Sequence, residues 1–131
     1  MTIAQKAEVF STKNGALNGY DVVSFYTDSA AQLGSKAYSY HWKNTTWYFS
    51  SATHRDTFST APEKFYPAYG GWCAYGASNG YKAPTEATTF TFVDGRLYFN
   101  YNEAVKNNWL KNTNDYIAKA DAHWPVIKNK D

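Results

Sequence analysis

Two runs, Thr89-Phe90-Thr91-Phe92-Val93 and Arg96-Leu97-Tyr98-Phe99-Asn100, alternate in strand fashion about Asp94-Gly95. A pair of this kind between two β-forming runs specifies a two-residue type I′ hairpin, whose central positions both need positive φ. No other segment constrains the chain so strongly. A second hairpin is predicted from the aromatic-rich residues 37–42 and 46–50, which flank Lys43-Asn44. Both connections are tight, whereas a parallel crossover takes a dozen residues or more, so the strands pair antiparallel.

Helix signals lie between and after these hairpins. Asp21 is placed to cap one or two helical turns through Val22, Val23, Phe25 and Tyr26, and Ser51 to cap a helix over 52–60. Pro62 suits the first turn of a short helix that ends near Tyr66 and Pro67. Asn102 caps residues 103–111, turning Ala104, Val105, Trp109 and Leu110 inward, and Asn114 opens a helix over 115–123 that Pro125 ends. Two Asn-Gly pairs in 13–19 predict tight turns. Glycines bound the segment Tyr69-Gly70-Gly71-Trp72-Cys73-Ala74-Tyr75-Gly76, which predicts an unusual turn or a close backbone approach. No internal repeat, low-complexity tract or charge block is visible. The expected fold is α+β, a single small domain in which two antiparallel β-hairpins form a small sheet packed with four or five short helices. Residues 1–14 read as an N-terminal arm, 15–125 as the domain and 126–131 as a tail.

Composition narrows the function. The 131 residues include 12 Tyr, 8 Phe and 5 Trp, enough apolar area to fill a core, which argues against disorder. A formal net charge of +2 provides no basic stripe of the kind nucleic-acid binding demands. Polar residues interrupt every apolar run well before the ~18 residues of a membrane span. The first ten residues, charged at Lys6 and Glu8, lack the apolar stretch of a secretory signal. The expectation is a cytoplasmic protein, or a periplasmic or secreted one whose mature form follows a new Met. One Cys excludes an intramolecular disulfide and any site of several thiolates.

Few side chains carry chemistry. Cys73 reads as a small buried residue in the glycine-rich turn, as a soft metal ligand or redox thiol, or as an intermolecular disulfide partner. His54 falls in the first turn of the helix capped by Ser51, where the helix's positive end disfavours an imidazolium and leaves a neutral ring able to bind a metal; the alternative is a partly exposed surface His. His41 reads as a strand residue and His123 as a cap for helix-end carbonyls. The rings of Tyr66, Tyr69, Trp72, Tyr75 and Tyr81 form either a core plug or the lining of a pocket for a small aromatic or apolar ligand. No nucleophile elbow, phosphate-binding loop or His-Glu-x-x-His helix occurs, and the chain reads as a non-enzymatic protein.

The run Leu17-Asn18-Gly19-Tyr20-Asp21-Val22-Val23-Ser24-Phe25-Tyr26, followed by Trp47-Tyr48-Phe49-Ser50-Ser51, Arg55-Asp56-Thr57-Phe58 and Pro62-Glu63-Lys64-Phe65, resembles the YHS domain family. The segments Tyr69 to Gly76, Val93 to Tyr98 and Tyr116 to Pro125 make it similar to the cysteine-poor branch of that family, often exported in bacteria. The metal-binding branch, related to TRASH-type domains, carries three Cys, and the resemblance lays these on Ser24, Ser50 and His54. Serine hydroxyls are poor ligands for zinc or Cu(I), so the resemblance does not imply that the three-thiolate site is inherited. Two expectations follow. One is a binding module that handles a soft metal, copper, through Cys73 and His54. The other is a metal-free domain that binds a small ligand or protein partner in an aromatic cleft around Trp72, with Tyr69, Tyr75, Asp21 and Tyr26 as further contacts. Neither makes folding depend on a cofactor.

Overall fold

The computed structural model describes residues 7–130 and is α+β. The chain divides into two compact units, Ser11–Tyr66 and a second built from Pro67–Asp131 together with Met1–Phe10. Among the described residues, no helix is long and apolar enough to cross a membrane.

The Ser11–Tyr66 unit opens with a minimal antiparallel pair, β1 (Ser11–Thr12) and β2 (Gly15–Ala16), reversed through Lys13-Asn14, so that Gly15 of the first Asn-Gly pair opens β2 at φ 100° instead of sitting in the turn. Leu17, Asn18 and Gly19 then take positive φ of 53°, 55° and 86°. Asp21 caps α1 (Val22–Thr27) by accepting hydrogen bonds from the amides of Val23 and Ser24. A hairpin follows, β3 (Ser35–Trp42) and β4 (Thr45–Phe49), with Lys43 and Asn44 at φ 53° and 61°, the geometry of a type I′ turn. Ser51 accepts from the His54 amide at 3.1 Å and caps α2 (Ala52–Thr60). The core comprises Val22, Val23, Phe25, Trp47, Phe49 and Phe58, each at most 1% exposed. Phe58 is the one buried residue of α2, and it meets the rings of Trp47 and Phe49 at centroid distances of 5.1 Å. Ring packing of this kind adds to area burial and ties the helix to the hairpin.

In the other unit Val9 and Phe10, expected in an arm, are buried, and the Phe10 amide donates to the Gly70 carbonyl at 2.9 Å. Tyr69, Gly70 and Gly71 take positive φ of 56°, 62° and 89°. Any Cβ at Gly70 would collide with the Glu8 carbonyl, so the glycine-rich segment makes the close approach its composition predicts. Helix α3 (Ala74–Ser78) is capped by Cys73. The hairpin β5 (Glu86–Val93) and β6 (Arg96–Asn100) turns at Asp94 and Gly95, φ 51° and 78°. Asn102 caps α4 (Glu103–Leu110), from which Trp109 is fully buried, whereas Ala104 and Leu110, expected inward, are exposed. One short helix presents only one buried position to this core.

The last helix, α5 (Thr113–Ile127), does not stop before Pro125 but runs through it. Proline forfeits one hydrogen bond within a helix. Burial of Ile127 and the bond from the Lys128 amide to the Trp124 carbonyl hold the final turn. The core here collects Phe10, Ala68, Tyr69, Trp72, Tyr98, Trp109, Ala120 and Ile127, with Tyr116, Ile117 and Trp124 packed against it. The apolar stripe of α5 is therefore integral to this unit.

Two outcomes differ from the sequence expectation. The hairpins do not join into one sheet; each is a separate two-stranded ladder. The chain also contains a repeated plan. Both main hairpins have strands of eight and five residues. The pairs Trp42↔Thr45, His41↔Thr46 and Tyr40↔Trp47 are matched by Val93↔Arg96, Phe92↔Leu97 and Thr91↔Tyr98. Each ladder is then interrupted and resumes at Ser35↔Phe49 and at Glu86↔Asn100. In each unit a run of three positive-φ residues, a capped short helix, the hairpin and a second capped helix follow in that order.

Gly95 offers a test of the turn. A Cβ there meets nothing within 4 Å, so the cost of substitution is purely conformational. Gly95→Val is expected to destabilise the chain by about 1–3 kcal/mol, the range for a non-glycine residue held in the left-handed region. Urea unfolding measures it, and an unchanged midpoint contradicts the turn type.

Candidate functional site

In the Ser11–Tyr66 unit the carboxylate of Asp21, fully buried, gathers five donors. Oδ1 accepts from the amides of Val23 at 2.9 Å and Ser24 at 3.1 Å. Oδ2 accepts from the amide of Ser50 at 2.8 Å, the hydroxyl of Ser50 at 2.7 Å and Nδ1 of His54 at 2.7 Å. Burial pushes the Asp21 carboxyl up, but the hydrogen bonds from Ser50, His54 and the Ser24 amide outweigh it and hold the group below its usual 3.8. A carboxylate only accepts, so the His54 proton sits on Nδ1 and Nε2 keeps the free position of the ring. Ser24 donates to Gln32 Oε1 at 3.1 Å and lies 3.5 Å from His54 Nδ1. Asp21 and His54, two of the residues selected from sequence, are thus joined, and the hydroxyls of Ser24 and Ser50 complete the cluster. Tyr26 packs instead against Phe65 at 5.2 Å, and burial raises its phenol to about 12.

The other unit holds a cleft of about 300 Å³, predominantly apolar and lined by Cys73, Tyr75, Tyr81, Ala83, Tyr101 and Val105. Its size lies at the lower end of small-molecule sites. Cys73 caps α3 through sulfur: Sγ accepts from the Gly76 amide at 3.4 Å, and the thiol donates to Asn100 Oδ1 at 3.6 Å. Asn100 is itself pinned, since the Tyr75 amide donates to the same oxygen at 3.1 Å. Burial pushes the thiol's pKa up, against the pull of the backbone amides of Gly76, Tyr101 and Tyr75, which favours the neutral thiol. Tyr81 and Tyr101 stand half exposed at the mouth of the cleft, and Tyr75 packs edge-on to Tyr116 at 5.3 Å.

Of the aromatic residues selected from sequence, Tyr75 and Tyr81 border this cleft, Tyr66 packs against Trp42, and Tyr69 and Trp72 serve the core. Trp72 is 6% exposed, and its indole donates to the carbonyls of Ala7 and Glu8. Tyr69 is 1% exposed and donates to Asp121 at 2.9 Å, and burial together with that carboxylate raises its phenol far above the ordinary value. The aromatic cleft therefore centres on Tyr75, Tyr81 and Tyr101 instead of Trp72. Tyr101, Ala83 and Val105 were not selected from sequence; Tyr101, two residues before α4, carries no signal beyond its type. Cys73 and His54 belong to different units. Among the described residues no group of three or more His, Cys, Asp or Glu side chains is placed to hold a metal ion.

No protein-family model, curated protein or solved structure matches this chain.

Proposed function

We propose that the chain is a non-enzymatic binding module whose ligand is a small, largely apolar molecule held in the cleft of Tyr75, Tyr81, Tyr101, Ala83 and Val105 over the Cys73 sulfur. The observation that carries this is the cleft itself: about 300 Å³, apolar walls, three tyrosines and no charged side chain. Such a lining rewards burial of an apolar surface and leaves orientation to a few polar atoms. The chemistry of the candidate nucleophiles in the two units supports binding over catalysis. The Cys73 thiol is raised by burial and already donates to Asn100, and the hydroxyls of Ser24 and Ser50 donate to Gln32 and Asp21, so none of the three is activated as a nucleophile.

Kinship with YHS domains is supported by one geometric fact. The positions that the resemblance equates with metal-binding thiols, Ser24, Ser50 and His54, meet around Asp21. Hydroxyls and a carboxylate-bound imidazole in those places suit a scaffold that has exchanged metal for hydrogen bonds.

Calorimetric titration with indole and phenol tests the reading. The wild type is expected to bind at one site, and Tyr101→Ala to weaken binding about tenfold, the equivalent of ~1.4 kcal/mol for a lost ring contact. Copper handling through Cys73 and His54 is the competing reading, and a Cu(I) titration decides it. A stoichiometric site that disappears in Cys73→Ser, together with no aromatic binding, would replace the present proposal.

A further inference from the structure

We infer that the cleft is the place which His54 fills in the Ser11–Tyr66 unit, left open in the other, and that its ligand is a neutral molecule presenting one planar aromatic ring. This rests on reading the cleft as the binding site. Within the repeated plan, hydrogen bonds identify counterpart residues independently of side-chain type.

Asp21 and Cys73 are counterparts. Each follows three positive-φ residues and one extended residue, Tyr20 or Trp72. Each caps a short helix with its side chain, Asp21 taking the Ser24 amide and Cys73 the Gly76 amide. The amide of Asp21 donates to the Gln32 carbonyl at 2.8 Å, and that of Cys73 to the Ala83 carbonyl at 3.0 Å, in both cases just ahead of the hairpin. Asp21 also accepts the amide that follows the second hairpin strand, that of Ser50, and the amide at the same place in the other unit, that of Tyr101, acts on the Cys73 thiol by lowering its pKa. Ser51 and Asn102 then cap the next helix through the amide three residues on, and those amides belong to His54 and Val105. Gln32, Ser50 and His54 thus correspond to Ala83, Tyr101 and Val105, three of the six residues that line the cleft.

The exchange explains the cavity. In one unit the imidazole extends from α2 to the Asp21 carboxylate and occupies the space between them, with Nδ1 2.7 Å from Oδ2. Val105 carries neither a ring nor a hydrogen-bonding group and sulfur accepts no strong hydrogen bond, and these two residues line an open cleft. The cleft lies between the helix that carries Val105 and the residue that caps the short helix, the place of the His54 ring in the other unit, and its volume of about 300 Å³ has room for a five- or six-membered ring. The lining adds preferences. A polarisable sulfur favours the edge of an aromatic ring, and the tyrosines favour edge-to-face contact. Where Asp21 supplies a carboxylate, Cys73 supplies a neutral thiol, so a cationic ring gains nothing and a neutral one fits.

The experiment uses the full chain with indole, phenol and cyclohexanol as probes, followed by calorimetry and by nuclear Overhauser contacts. The wild type is expected to bind indole and phenol at least about tenfold more tightly than cyclohexanol, with contacts from probe protons to the Val105 methyls. Val105→Phe, and Val105→His combined with Cys73→Asp, are expected to fill the cleft from within and abolish binding while circular dichroism stays that of the wild type. Equal affinity for cyclohexanol, or unchanged indole binding in either folded variant, overturns this inference; the binding-site reading survives if Tyr101→Ala still weakens the probe. Absence of saturable binding by all three probes overturns both. Should both variants fail to fold, the wild-type contacts decide: no Overhauser contact to Val105 places the ring elsewhere and sinks the inference.

Discussion

Replacing Asp21 with alanine is expected to cost about 3 kcal/mol or more, since a buried donor left unsatisfied costs about 1–3 kcal/mol and several lose their acceptor together. The carboxylate is fully buried, and its loss strips the cap from α1 and leaves the Ser50 amide, the Ser50 hydroxyl and His54 Nδ1 without their acceptor. Buried donors left unmatched account for most of the penalty. Urea unfolding of Asp21→Ala against the wild type measures it, and a loss below 1 kcal/mol would show that the cluster is not a structural centre. The same group makes a pH prediction. Its folded-state pKa lies below the ordinary 3.8, so the unfolded chain binds the proton more readily. The stabilisation is then complete above 3.8 and disappears as pH falls from there through the lower folded-state value. Asp21→Asn should remove this acid-dependent component, and an identical decline in wild type and variant contradicts it.

The second large effect is expected at Lys82, a lysine only 4% exposed. Its ammonium donates to three backbone carbonyls, those of Ala7 at 3.0 Å, Lys128 at 2.7 Å and Lys130 at 2.9 Å, and stands 5.8 Å from the ring centroids of both Trp72 and Trp124. A cation at the end of α5 takes up carbonyls that the helix itself leaves unpaired, and it ties them to the segment at Ala7. Lys82→Met keeps the aliphatic stem and removes the charge. The expected loss is about 3 kcal/mol or more, since hydrogen bonds to a charged donor contribute ~1.5–3 kcal/mol each and three carbonyls lose theirs together. Amide exchange should accelerate most in the last turn of α5 and at Phe10. Uniform exchange across the chain would show that Lys82 is not a local clasp.

Local instructions were legible because each resides in a few adjacent residues. Asp94-Gly95 and Lys43-Asn44 specify their turns through positive φ, and Asp21, Ser51 and Asn102 specify helix starts through a side-chain oxygen placed ahead of amides otherwise unpaired. Cys73 escaped this logic. It caps α3 with sulfur, and a thiol carries no capping signal at the level of residue type. The repeat escaped as well, since its counterparts, Asp21 and Cys73, Ser50 and Tyr101, His54 and Val105, share a place in the hydrogen-bond plan and almost nothing chemically.

What the sequence determined by itself was the α+β class, both main hairpins, most helix starts, and the choice of Asp21, His54, Cys73 and Tyr75 as residues of interest. The tertiary structure alone decided their company. Asp21 meets His54 and Ser50 across some thirty residues of chain, and the cleft draws Cys73, Tyr81, Tyr101 and Val105 from separate elements. Turns and caps are stabilised by bonds within one or two turns of backbone, so their residues suffice to announce them. A site closed by contacts distant in sequence depends on which rings the core consumes, here Tyr69 and Trp72, and which it leaves at the surface, here Tyr81 and Tyr101. That division is a property of packing, which favours whichever ring fills the interior best and is indifferent to residue type.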